Sequence, residues 1–108
     1  MAYNELNTRI ASGEMVIAEF YAEWNGDCNV TRIAIEELSL QMQNRVKHLR
    51  IDIDLPQNYP ITKAYNIYSV PTVVLFYNGR IEWRARGVRS ARQLNKIVVR
   101  LLKSTIAL

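Results

Sequence analysis

A nearly unbroken apolar segment that leads into a helical pattern constrains the fold of this chain most strongly. Residues 15–22 read MVIAEFYA and contain one charged side chain, Glu19. A strand that is apolar on both faces is covered on both sides, as in α/β proteins. Residues 26–44 then change to helical spacing. The side chains able to share the inner face of that helix are Val30, Ile33 or Ala34, Leu38 and Met42.

A second signal lies in the C-terminal third, where the dipeptide Asn78-Gly79 predicts a two-residue turn. The flanking segments, residues 70–77 and 80–86, are therefore antiparallel neighbours. Ser90 and Gln93 form a capping box that begins a last, amphipathic helix. The apolar side of this helix consists of Leu94, Ile97, Val98, Leu101 and Leu102.

Three shorter patterns complete the order of elements. Residues 3–12 predict a helix that Gly13 ends, residues 46–53 alternate as a strand, and residues 61–65 predict a short helix. The order is helix, strand, helix, strand, helix, hairpin, helix. It predicts an α/β fold with a central mixed β-sheet flanked by helices on both faces, formed by residues 1–108 as a single domain.

The single cysteine, Cys28, limits both the chemistry and the compartment that we expect. One thiol cannot form an internal disulfide, and no charged and apolar leader is present at the start. We therefore expect a reducing, cytoplasmic location. The apolar runs are much shorter than the roughly 20 residues that a membrane-spanning helix needs. No association with a membrane is expected.

The charge of the chain is concentrated at its C-terminal end. The net charge is +4, and residues 83–108 carry seven basic side chains and no acidic one. Such a surface attracts acidic protein partners or forms the docking face of a subunit in a larger assembly; alternatively, it is an ordinary solvated helix face. Nucleic acid is not favoured, because Trp83 is the one aromatic side chain there that can stack on bases.

The segment Ala22-Glu23-Trp24-Asn25-Gly26-Asp27-Cys28 resembles the active-site turn of the thioredoxin family, which reads AEWCGPC. Val70-Pro71-Thr72 resembles the cis-proline segment of that family, residues 75–79 its hairpin, and Gly87 the glycine beside its groove. The resemblance extends over residues 14–102 and implies the thioredoxin fold.

The departures from the family pattern lie at the reaction centre. Asn25 occupies the place of the nucleophilic cysteine, and Asp27 replaces the proline between the two cysteines. Ile33 stands where the family has a helix-kinking proline, and His48 where it often has a lysine. Disulfide reduction by two thiols requires an attacking and a resolving cysteine, so the dithiol reaction is excluded by stoichiometry.

Cys28 and Glu19 are the residues that could retain chemistry. We expect Cys28 to lie about one turn inside a helix, with its pKa raised by burial and by Asp27. It is either an inert apolar residue or a single reactive thiol. The resemblance implies that Glu19 is a proton shuttle; otherwise it is a buried acid satisfied by water or by His48. Asn25 is a good helix N-cap.

The resemblance also implies a groove for an extended polypeptide. In this family a cis bond presents the backbone of the residue before the proline, which here is Val70, to a bound strand. The groove residues are Trp24, Val70, Pro71, Gly87 and Val88. Alternatively, Pro71 does no more than fix a turn. No metal site is expected, because His48 has no second histidine or cysteine at ligand spacing, and no cofactor is expected.

The sequence therefore favours a thioredoxin-like protein that binds protein or peptide partners, or one that acts through a single thiol. The alternative is a thiol-disulfide oxidoreductase that uses Cys28 with glutathione or with a cysteine of a partner. Neither the partner nor the oligomeric state follows from the sequence.

Overall fold

The computed structural model of the chain describes residues 2–106, with side chains from residue 4 to residue 104, and consists of a sheet between two layers of helices. The helices are α1 (Ala2–Ala11), α2 (Gly26–Gln41), α3 (Tyr59–Ala64) and α4 (Ala91–Ile106). The strands are β1 (Met15–Tyr21), β2 (Val46–Asp52), β3 (Thr72–Tyr77) and β4 (Arg80–Arg86). In the described part of the chain, no helix combines the length and the apolarity needed to cross a bilayer.

The four strands form a mixed sheet in the order β2-β1-β3-β4, which confirms the predicted fold class. β1 and β2 are parallel, because α2 crosses between them, whereas β3 is antiparallel to both β1 and β4. The register places Glu19 in the middle of β1, with Arg50 of β2 on one side and Val73 of β3 on the other.

Each face of the sheet has its own hydrophobic cluster, as the two-sided strand β1 requires. One face packs against α1 and α3, and this cluster includes Leu6, Phe20, Ile51, Ile61 and Phe76. The other face packs against α2 and α4, and this cluster includes Ile17, Ile35, Leu38, Leu94 and Val98. Glu19 has the same strand parity as Ile17 and therefore lies on the α2 side.

The local signals predicted from the sequence are present. Asn78 and Gly79 both have positive φ angles, 54° and 84°, as a hairpin turn of this length requires. Ser90 and Gln93 form reciprocal hydrogen bonds of 2.8 and 3.1 Å, which complete the capping box.

Several predicted boundaries differ from the structure by one or more residues, and three of these differences have a clear physical cause. α2 ends at Gln41 rather than at residue 44, because Gln43 and Asn44 adopt φ angles of 51° and 66° that no α-helix contains. β3 begins at Thr72 rather than at residue 70, since the preceding proline has no N–H for a strand ladder. α3 begins earlier than predicted because Pro60 fits its first turn.

The inner face predicted for α2 is wrong at Val30, and at the position left open between Ile33 and Ala34 it is Ala34 that is buried. Val30 and Ile33 are 51% and 56% exposed, whereas Cys28, Thr31, Ile35 and Leu38 are buried. The helix turns Cys28 toward the sheet, and the i+3, i+7 and i+10 positions follow it inward. Val30 comes two residues after Cys28 and therefore points away from the sheet. The alternative at the second position, Ala34, is buried as expected.

Candidate functional site

Three segments meet where β1 leads into α2. The first is the turn at Trp24 and Asn25, the second is Val70-Pro71, and the third is the loop after β4. The Asn25 Nδ2 group donates to the Val70 carbonyl at 3.4 Å, and the Gly87 N–H donates to the Pro71 carbonyl at 2.9 Å. The peptide bond between Val70 and Pro71 is cis. Hydrogen bonds thus connect the segments that carry the predicted groove residues.

Asn25 uses both ends of its carboxamide. Its Oδ1 atom accepts from the Cys28 N–H at 3.3 Å, and its backbone carbonyl accepts from the same N–H at 3.1 Å. The residue is extended, with φ −100° and ψ 116°, as an N-cap should be. The sequence predicted this cap but not the bond to the Val70 carbonyl. The Asn25 side chain therefore joins α2 to the Pro71 loop.

Cys28 is buried beneath this turn, with 2% of its surface exposed. Burial is the main cause that raises the pKa of its thiol, and the carboxylates of Glu19 and Asp27 add to the effect. A backbone hydrogen bond with Ala22 and the charge of Arg50 act in the opposite direction but do not reverse it. The thiolate, which is the nucleophilic form, is consequently scarce at neutral pH.

The raised pKa of Cys28 predicts a loss of stability at alkaline pH. In the unfolded chain the thiol loses its proton near its ordinary pKa of 9.0, whereas the folded chain retains that proton to higher pH. The stabilisation is complete below this pKa and is lost as pH rises through the higher folded value. In urea titrations, the free energy of unfolding should fall more steeply above pH 9.0 for the native protein than for Cys28→Ala.

Tyr21 serves as an internal control for this measurement. Burial also raises its pKa, although the charge of Arg50 opposes the shift, and both proteins retain this tyrosine. Its contribution to the alkaline loss is therefore common to the two curves. Parallel curves for the native protein and Cys28→Ala would contradict the assignment to the thiol.

Glu19 is fully buried, and one of its carboxylate oxygens has two partners. Its Oε1 atom accepts from His48 Nε2 at 2.7 Å and from Arg50 Nε at 3.2 Å. Both partners come from β2, and both reach the surface, with 14% and 33% of their side chains exposed. The Oε2 atom has no hydrogen-bond partner in the described part of the chain. The expected pairing with His48 is present.

Arg50 is the residue at this site that the sequence reasoning missed. Besides its bond to Glu19, its guanidinium lies 3.8 Å from the centre of the Tyr21 ring, in a cation-π contact. The alternation of residues 46–53 had placed Arg50 on the same side as His48. The parallel register, which sets Arg50 directly beside Glu19, is the additional information that identifies it.

Trp24 is the exposed aromatic side chain of the site. It is 71% exposed, and its Nε1 atom donates to Asp54 Oδ2 at 2.8 Å. Asp54 follows β2 as Trp24 follows β1. Because the carboxyl ends of parallel strands lie at the same edge of a sheet, the two residues come close together. The indole ring is held in place by its N–H while its faces remain open to solvent.

The loop after β4 forms the basic edge of the site. Gly87 has a φ of +86°, a conformation that side chains rarely adopt. The Arg89 Nη1 atom donates to the carbonyls of Arg86 and Val88 at 3.2 and 2.9 Å, which fixes the loop from outside. The side chain of Arg86 is exposed, as is that of Val88 at 38%.

Comparisons with known proteins agree with the fold. The family model described as Thioredoxin matches residues 1–100. The chain is 34% identical over 88 residues to a thioredoxin of Rickettsia typhi, with 82% of each chain covered. It is 42% identical over 64 residues to a thioredoxin of Rickettsia conorii, with 59% of each chain covered.

Among solved structures, the fold is similar to that of chloroplastic thioredoxin z. The TM-score is 0.84 at 27% sequence identity, and the match covers 95% of this chain and 92% of the other. These matches agree with the order of the strands and with the turn that begins α2. This chain belongs to the thioredoxin family.

Proposed function

We propose that this chain is a polypeptide-binding module of the thioredoxin family that does not cycle through a disulfide. The observation that carries the proposal is the double use of Asn25, which caps α2 and donates to the Val70 carbonyl. In the position of a nucleophile stands a side chain that stabilises the site and cannot attack a disulfide. The remaining thiol, Cys28, is buried and has a raised pKa.

The backbone of Val70 is the element that would hold a bound polypeptide. Its N–H donates no hydrogen bond within the described part of the chain, and its carbonyl accepts one bond, from Asn25. A carbonyl has two lone pairs, so both backbone groups remain available to an extended segment. A polypeptide that pairs with them lies beside Trp24, whose exposed ring supplies an apolar anchor.

The basic edge favours acidic segments as partners. Arg86 and Arg89 flank Gly87 and Val88, and no acidic side chain is present between residues 83 and 108. Attraction between exposed charges is screened over about 10 Å at 0.1 M salt. Binding should therefore weaken as salt is raised, and less so when both arginines are replaced.

A single-thiol oxidoreductase that uses Cys28 with glutathione or a partner cysteine is the rival function. This function requires an accessible thiol, whereas Cys28 is buried in this structure, with 2% of its surface exposed. Exchange would thus depend on opening the first turn of α2, which the Asn25 cap holds closed. A reducing compartment suits either function, and we propose the cytoplasm.

Replacing Trp24 by alanine should weaken polypeptide binding by about 10- to 30-fold, the loss of one aromatic anchor at an interface. The probe is fluorescein-labelled α-lactalbumin, reduced and carboxymethylated so that it is unfolded, acidic and free of thiols. Fluorescence anisotropy gives its affinity for each variant. Ile81→Ala is the matched control, since Ile81 is an exposed apolar residue near the opposite, hairpin end of the sheet.

Two further variants separate the proposal from its rival. Arg86→Ala with Arg89→Ala should lower the salt dependence of binding, and Cys28→Ser should leave the affinity unchanged. If Trp24→Ala and Ile81→Ala bind the probe equally well, the groove is not the binding surface. If Cys28→Ser stays folded but no longer binds the probe, the thiol itself takes part in binding and the proposed function is wrong.

A further inference from the structure

The outer face of α4 carries a line of cationic side chains that the groove does not use. We call this line the basic stripe. Its members follow the i, i+4, i+8, i+11 spacing, so they share one side of the helix. All four are exposed. They are Arg92, Lys96, Arg100 and Lys103.

The basic stripe has no counter-charge within the described part of the chain, unlike several cations elsewhere on its surface. Arg9 pairs with Glu5 and Glu14, Arg32 with Glu36, and Arg80 with Glu82. None of the four stripe residues makes an ion pair there. Like charges at i, i+4 spacing destabilise a helix, and the stripe keeps two such pairs.

The neighbouring helix α2 carries exposed apolar side chains, which we call the apolar ridge. It consists of Val30, Ile33 and Leu40 of α2, which are 51%, 56% and 80% exposed. α2 and α4 pack side by side on the same face of the sheet, and Gln41 bonds to Asn95 across them at 3.2 Å. On α4, an open depression of about 600 Å³ is lined by stripe residues and by Val99. Exposed cations on α4 and exposed apolar side chains on α2 thus lie on two neighbouring helices.

We propose that the outer surface of these two helices docks an acidic amphipathic helix of a partner protein. A helix that carries carboxylates at the spacing of the basic stripe can pair with its cations, and its apolar side can cover the ridge on α2. Charge complementarity of this kind raises the association rate and sets the orientation of a complex. The surface lies on the outer face of α2 and α4, whereas Val70 belongs to the groove at the end of the sheet.

Charge on α2 favours a protein helix over a membrane or a nucleic acid. Glu36 and Glu37 are exposed on α2, and Glu37 lies between Ile33 and Leu40 along the helix. An extended anionic surface would bring its charge against these carboxylates, whereas a protein helix can restrict its carboxylates to the side that faces α4. Furthermore, α4 carries no aromatic side chain on which bases could stack.

The test uses a designed helical peptide, labelled with fluorescein, that has glutamates at the stripe spacing and leucines on the adjacent face. Its affinity is measured by anisotropy. Lys96→Glu with Arg100→Glu should weaken binding by at least about tenfold, because it places like charges across the interface. The matched control, Arg45→Glu with Lys63→Glu, makes the same change of charge at exposed residues elsewhere and should change the affinity less than about twofold.

The apolar ridge is tested at constant charge. Ile33→Ser with Leu40→Ser should lower the affinity for the peptide by at least about fivefold. The affinity for carboxymethylated α-lactalbumin, the probe of the groove, should stay unchanged. Circular dichroism verifies that each variant is folded. If the charge-reversal variant, Lys96→Glu with Arg100→Glu, does not fold, Lys96→Gln with Arg100→Gln is measured in its place. Equal losses in the stripe variant and its control would overturn the proposal. The native protein is also tested with a short DNA duplex and with vesicles of phosphatidylcholine and phosphatidylserine. If either binds more tightly than the peptide and loses this binding in the stripe variant, the proposal is overturned as well.

Discussion

Asn25→Cys should convert this protein into a disulfide reductase. The new thiol would occupy the N-cap of α2, where the N–H groups of the first turn and the helix dipole stabilise a thiolate. Cys28, three residues later, would act as the resolving thiol. Removing a catalytic nucleophile costs on the order of 10⁶-fold in rate in a well-studied hydrolase, so even partial restoration should exceed the native rate by at least about 100-fold.

Insulin reduction with dithiothreitol as the donor measures this gain. Asn25→Ser is the matched control, because serine keeps a capping oxygen but adds no thiol, and it should stay at the background rate. Once dithiothreitol is omitted, Asn25→Cys combined with Cys28→Ser should accumulate a mixed disulfide with insulin, since no second thiol is then present to resolve it. If Asn25→Cys remains at background, the geometry around Val70 and the buried thiol is unsuited to exchange.

His48→Leu combined with Arg50→Leu should destabilise the fold by about 3–5 kcal/mol, the effect of removing the partners of a buried charge. Glu19 is fully buried, and both of its cationic partners would be lost together. Glu19→Leu alone should be neutral or stabilising. The two partners reach the surface, so water can solvate them once the carboxylate is gone, and a leucine suits the surrounding apolar strand.

Urea denaturation of these variants provides the measurement, and the triple variant Glu19→Leu, His48→Leu, Arg50→Leu provides the control. Its stability should return to within about 1 kcal/mol of Glu19→Leu, because the double variant suffers from an unpaired carboxylate rather than from new leucines. A double variant as stable as the native protein would show that Glu19 does not depend on these partners.

The fold followed from signals that act over a few residues. The two-sided strand before α2 required helices on both faces of the sheet, and the positive φ angles that Asn78 and Gly79 tolerate set the hairpin. The capping box at Ser90 placed the start of α4. Each of these features depends on backbone chemistry within a short segment, which the sequence displays directly.

The parts that escaped prediction depend on contacts between distant segments. The rotation of α2 about its axis is set by packing against the sheet, so Ile33 and Ala34 were equally plausible core residues, and Val30 was misplaced. The bond from Asn25 to Val70 joins residues 45 positions apart. The position of Arg50 beside Glu19 needed the register of the parallel strands. None of these relations leaves a periodic pattern in the sequence.

The proposed function requires that the groove hold its partner without a covalent bond. The direct test incubates the protein with unfolded α-lactalbumin in two forms, one carboxymethylated and one with its cysteines as mixed disulfides with glutathione. Native mass spectrometry then separates reversible complexes from covalent ones. We expect the same reversible complex with both forms and no adduct on Cys28. A covalent complex with the disulfide form, absent in Cys28→Ser, would contradict it and establish single-thiol exchange.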